Sequence, residues 1–175
     1  AALASATRGV FAGGYADYNA NADRMDYVAL ASTGNAATFG NLTAAREGVR
    51  GLSSSTRGVF GGGYASDLVN TMDYITIANT GNATDFGDLT AARQTSGAAG
   101  STTRGLFAGG SSSTNIVDYI TIASVGNASD FGDLIAANLS PSGASSSTRA
   151  LFNGGVNGST VVATIDYFTI ASTGN

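Results

Sequence analysis

The stretch from Arg57 to Thr103 reads RGVFGGGYASDLVNTMDYITIANTGNATDFGDLTAARQTSGAAGSTT, and the rest of the chain repeats it with edits. The same order of signals restarts at Arg8, Arg104 and Arg149. Each copy runs from a hydrophobic pair through a Gly doublet to an Asp-Tyr that leads an apolar segment. An Asn-bearing turn, a Phe-Gly and a segment of small residues follow. The units span 8–56, 57–103, 104–148 and a partial 149–175, within one array over 1–175. Residues 1–7 read as the remnant of a preceding strand. A period of this length marks tandem supersecondary units rather than one irregular core.

Within the second unit, Met72–Ala78 (MDYITIA) alternates β-branched and aromatic residues, which predicts a strand. Ile75 and Ile77 then share one face and Tyr74 and Thr76 the other. The equivalent pairs Val28/Leu30, Ile120/Ile122 and Phe168/Ile170 keep that face apolar in every copy. Arg57–Gly63, Thr84–Leu89 and Gln94–Thr103 are the other strand candidates, and the last, rich in small residues, belongs where space is tight. Asn79–Ala83 carries a Gly-Asn step that suits a turn, since both residues tolerate positive φ. No helical period runs through the sequence. The chain is expected to be all-β, with four short strands per unit of about 47 residues, the period of a propeller blade.

The Gly doublets Gly13-Gly14, Gly62-Gly63, Gly109-Gly110 and Gly154-Gly155 sit where kelch-type repeats close their second strand. Tyr27, Tyr74, Tyr119 and Tyr167 fall near that family's tyrosine, and Phe39, Phe86 and Phe131 take the place of its tryptophan. On these residues the chain resembles a kelch-like repeat array. It departs in having no Trp and a longer Tyr-to-Phe spacing. The wording ASTGNATDFGDLTAAR…SSTRGVFGGG is also similar to kelch-like arrays in structural proteins of marine bacteriophages. That resemblance implies a β-propeller-like fold and a tail-fibre or adhesion role, extracellular or virion-associated.

Composition narrows the chemistry. Charged residues make up 11%, there is no Lys, and the net charge is −4, so a nucleic-acid partner is not expected. Neither Cys nor His is present, which removes the commonest zinc and thiol chemistries. No apolar run has the length that spans a bilayer, so membrane insertion is not expected. The opening AALASATRG aligns with GLSSSTRG at 51–58, so a processed chain or a piece of a longer one is expected.

Several motifs invite a functional reading. Asp85-Phe86-Gly87 and Asp130-Phe131-Gly132 spell a kinase DFG, but the obligatory Lys is missing. Asp85/Asp88 and Asp130/Asp133 offer calcium-like oxygens, yet Thr38 and Asn41 replace them in the first unit, which favours turn-capping. Asp26, Asp73, Asp118 and Asp166 open the third strand of each unit. Paired acids suggest glycosidase carboxylates, whereas repetition suggests a structural role. Counting through the turn sets Leu89 opposite Asp73 with Arg93 just beyond, so an Asp–Arg bridge is expected within each of the first two units, through Arg46 and Arg93. Asn138 replaces the Arg in the third. Arg8, Arg57, Arg104 and Arg149 either ring one face for an acidic ligand or pin loops through carbonyls, which a planar guanidinium does well. The sequons at Asn41, Asn82, Asn127, Asn138 and Asn157 follow from an Asn-, Ser- and Thr-rich repeat.

The units differ mainly between the Gly doublet and the Asp-Tyr. Eleven residues lie there in the first unit, nine in the second and seven in the third. Rigid scaffolds place binding residues on segments of this kind. Tyr15, Tyr18 and Tyr64 are candidates to stack on sugar rings, with Asp67, Asn115 and Asn157 as polar companions. The sequence thus points to a non-enzymatic structural or adhesion module without cofactor, catalytic or metal residues. Its variable loops would meet a cell-surface glycan or a protein. Self-association, or flanking repeats of a longer chain, would cover its terminal strands, because residues 1–7 hold one large apolar side chain, Leu3. An intracellular kelch-like protein-binding scaffold is the alternative, and a carbohydrate-active propeller enzyme the third reading.

Overall fold

In a computed structural model that describes residues 1–16, 20–111 and 114–174, the alternating segments become antiparallel strands, and no helix occurs among the described residues. The first sheet joins β1 (Ala2–Ala4), β2 (Arg8–Ala16), β3 (Ala20–Ala29) and β4 (Ala37–Asn41) in chain order. The second joins β5 (Arg50–Ser53), β6 (Arg57–Gly61), β7 (Thr71–Thr76) and β8 (Thr84–Asp88), and the third β9 (Gly97–Gly100), β10 (Arg104–Ala108), β11 (Ile116–Thr121) and β12 (Ser129–Asp133). The fourth contains β13 (Ser142–Ser145), β14 (Arg149–Asn153) and β17 (Ile165–Thr169), with a small hairpin of β15 (Val156–Asn157) and β16 (Thr160–Val161) beside it.

One register recurs. Val10 faces Tyr27, Val59 faces Tyr74, Leu106 faces Tyr119 and Leu151 faces Tyr167 across the second and third strands of successive sheets. Between the third and fourth strands the ladder slips at Met25/Asp26, Met72/Asp73 and Val117/Asp118. The unpaired residue on the outer strand is Phe39, Phe86 or Phe131, so Phe-Gly marks a β-bulge. The bulge turns the ring inward, where it meets the sheet's tyrosine edge-on at about 6 Å between centroids.

The sheets pack face to face through three cores. Leu3, Val10, Met25 and Phe39 of the first sheet meet Phe60, Ile75 and Ile77 of the second. Leu52, Val59, Met72 and Phe86 meet Phe107, Ile120 and Ile122. Leu106, Val117 and Phe131 meet Phe152, Phe168 and Ile170. Ile75 and Ile77 therefore share a face, with Tyr74 packed on the opposite core, as alternation requires. The inner strands β1, β5, β9 and β13 touch in succession. A Cβ at Gly51 would lie 2.8 Å from the carbonyl oxygen of Ala2, and one at Gly143 would strike that of Ala98, so small residues are required there.

Residues 1–7 supply β1, a three-residue strand that pairs with β2 in the first sheet and buries Leu3. Two expectations are corrected. The strand expected over Arg57–Gly63 stops at Gly61, because Gly62 and Gly63 turn to φ of 64° and 123°. The fourth strand candidate shrinks from Gln94–Thr103 to Gly97–Gly100. The stack also stays open. Phe11 on the outward face of the first sheet is 50% exposed, and Tyr167 on that of the fourth is 64% exposed.

Candidate functional site

The segment between the second and third strands leaves every sheet at the same end, and each sheet builds it differently. In the first, β2 and β3 extend into a long hairpin that pairs Tyr15 with Asn21 and Ala16 with Ala20. In the second, Tyr64 bridges to both Glu47 and Leu68, and Asp67 accepts a 2.8 Å hydrogen bond from the Leu68 amide. The fourth folds its segment into the β15–β16 hairpin, with Val156 bridged to Leu139.

Neighbouring segments are tied together. Asn21 Nδ2 donates to the carbonyls of Tyr64 at 2.9 Å and Ala65 at 2.8 Å, joining the first hairpin to the second loop. Ser111 N donates to the Gln94 carbonyl at 2.9 Å, and Gln94 N donates to Ser111 Oγ at 3.0 Å. Asn21 was not anticipated, since nothing marks it out in an Asn-rich loop. Tyr15 and Tyr64 stand exposed at this rim, on residues joined through Asn21. Asp67 and Asn157 are exposed as well, whereas Asn115 is half-buried and its carbonyl accepts the Leu134 amide. Tyr18 lies outside the described residues.

The repeated polar residues hold the scaffold. Arg8 Nη1 donates to the carbonyls of Ile77 and Ala78 in the next sheet at 3.0 and 2.7 Å. Arg57 does the same to Ile122 and Ala123, and Arg104 reaches Ile170 at 2.8 Å. Each guanidinium also lies over its sheet's tyrosine, 4.6 Å from the ring of Tyr27, Tyr74 or Tyr119, and Arg149 sits 4.8 Å from Tyr167. Stacking and carbonyl bonds occupy the planar cation.

The Asp–Arg bridges form, but not within a unit. Arg46 pairs with Asp73 at 2.9 Å and Arg93 with Asp118 at 2.7 Å, each crossing to the following sheet. The ladder sets Asp73 against Asp85 rather than Leu89, and Arg93 pairs with Asp118 of the next sheet instead. Thr43 and Thr90 complete the sites: their hydroxyls donate to Asp73 and Asp118 at 2.6 Å, and their amides at 3.1 and 3.0 Å. Burial pushes the Arg93 guanidinium below its ordinary value, and the charge and hydrogen bond of Asp118 oppose that.

Asp26 and Asp166 differ. Asp26 takes its cation from its own strand, Arg24 Nε at 2.8 Å. In the joint before Asp166, Ile135 and Asn138 hold the positions that Thr90 and Arg93 hold before Asp118. Its Oδ1 has no hydrogen-bond partner, and burial pushes its carboxyl above the usual range, partly offset by a hydrogen bond from the Ile135 backbone. A groove of about 640 Å³ opens beside it, lined by Asp133, Ile135, Tyr167 and Thr173 among others. Among the described residues no cluster of three or more acids gathers as metal ligands. Two sequon asparagines prove structural: Asn82 Oδ1 accepts the Asn41 amide at 3.1 Å, and Asn127 Oδ1 the Asp88 amide at 3.0 Å.

Compared with known proteins, the chain matches no family model and no curated protein.

Proposed function

We propose that the chain is a non-enzymatic structural or adhesion module, a kelch-like and propeller-like array whose variable rim binds a glycan in a virion fibre or other extracellular assembly. One observation carries the reading. The units keep their register and cross-sheet bonds and spend their sequence variation on segments that leave each sheet at one end. Exposed aromatic rings on a rigid frame suit sugar rings, which offer apolar faces with polar edges. Tyr15 and Tyr64 supply those rings, and Asp67 is exposed beside them as a polar group. The carboxylates that an enzyme would need argue the other way. Asp73 and Asp118 are buried, ion-paired and held by Thr hydroxyls in separate joints, so neither is placed to protonate a leaving group.

The reading is tested by glycan-array binding of the whole chain beside its Tyr15→Ala and Tyr64→Ala variants. Binding lost in both, with melting unchanged, supports it. Binding that survives both substitutions, or no glycan bound by the parent, overturns it.

A further inference from the structure

We infer that the chain binds a second copy of itself head to tail, the outward face of its last sheet seated on the outward face of the first sheet of its neighbour. This deepens the assembly half of the proposed function and is independent of the loop half, because association is read with no glycan present.

The three internal joints define two kinds of face. The receiving face, in the second sheet, presents Gly58, Phe60, Ile75 and Ile77; the inserting face, in the first, presents Leu3, Val10, Met25 and Tyr27. The next two joints repeat the arrangement with equivalent residues. The register places Gly9, Phe11, Val28 and Leu30 at the receiving positions of the first sheet, where Phe11 is 50% and Leu30 53% exposed, Val28 is half-buried and Gly9 lies beneath Val28 and Leu30. It likewise places Leu151, Ile165 and Tyr167 at the inserting positions of the fourth sheet, where Ile165 is 63% exposed. The open ends are therefore the two unlike halves of a joint the chain already makes three times. A contact between unlike patches is heterologous and joins molecules head to tail.

Two details point the same way. Arg8, Arg57 and Arg104 each cross their joint to a carbonyl at the end of the next sheet's third strand. Arg149 keeps the tyrosine contact but reaches no such carbonyl among the described residues, and the equivalent acceptors are Leu30 O and Ala31 O of another copy. Side-chain volume also matches across joints. Gly58 faces Leu3 and Gly105 faces Leu52, whereas Ala150 shares its core with Ala99. Head-to-tail packing sets Gly9 against Ala144, which leaves room for a longer side chain.

Sedimentation velocity of the parent chain over a range of concentrations tests it. Reversible association is expected, abolished by Phe11→Glu alone and by Tyr167→Glu alone, with circular dichroism unchanged. Mixing those two variants restores a one-to-one dimer, because each keeps the face the other has lost. Ala144→Leu tightens association roughly tenfold by filling the space at Gly9. If either variant misfolds, Leu30→Glu or Ile165→Glu replaces it. A parent that stays monomeric, association that ignores these substitutions, or a mixture that stays monomeric overturns the inference.

Discussion

Asp118 and Asp166 hold the same position in two joints, and the preceding unit decides how each behaves. Around Asp118, Arg93 and Thr90 supply a cation and two hydrogen bonds inside a buried joint. Removing one partner strands a buried charge, which costs far more than the intact pair contributes. Arg93→Met and Asp118→Asn should each lose about 3–5 kcal/mol, read from urea melts at neutral pH. Asp166 has Ile135 in place of that Thr, and burial raises its carboxyl above the usual range. A group raised on folding contributes stability that is complete below the ordinary carboxyl pKa and is lost as pH rises through the raised value. Asp166→Asn should therefore be neutral or stabilising at neutral pH, and the parent should gain on it as the solution is acidified. Melts of the two proteins from about pH 3 to about pH 8 check this, and an Asp166→Asn loss as large as that of Asp118→Asn would contradict it. The sequence displayed these residues plainly. It did not display their pairing, because the turn after the third strand sets Asp73 against Asp85, four residues from Leu89, and the partner Arg belongs to the preceding unit.

Strands were legible wherever alternation was strong, as in MDYITIA, and less so where glycine sets the ends. The Gly doublet shows why. Gly62 and Gly154 share one backbone conformation, φ 64° and 66°, at the end of the second strand. At Gly62 an added Cβ runs into the carbonyl oxygen of Arg93, while at Gly154 it meets nothing within 4 Å. The left-handed conformation alone costs an L-residue roughly 1–2 kcal/mol. Gly154→Ala should show about that loss, and Gly62→Ala distinctly more, since the obstacle is backbone rather than a flexible side chain. Equal losses in chemical denaturation would mean that φ alone decides both positions. Four identical doublets in the sequence thus hide two energetic situations. The difference comes from the Arg93 loop before β9, which closes over Gly62, while no described residue stands in the equivalent place at Gly154.

At the scale of the molecule, each sheet is stabilised chiefly by its neighbours, because a lone twisted sheet of short strands leaves both apolar faces wet. The second and third sheets are buried on both faces; the first and fourth are buried on one. In such an array, stability is close to a sum of unit and nearest-neighbour contributions, and opening begins where one neighbour is lacking. Amide exchange should be slowest in β6, β7, β10 and β11. It should be faster in β2 and β3, and fastest in β13, whose residues are all exposed. The fourth sheet should open first, having three strands where the others have four. Raising protein concentration should slow exchange in β2, β14 and β17 while leaving β6 and β10 unchanged, because head-to-tail contact supplies the missing neighbour only at the ends. Uniform protection across all four sheets at low concentration would instead mean that the three joints break together. The array would then behave as one cooperative unit, and its open faces would carry no local weakness.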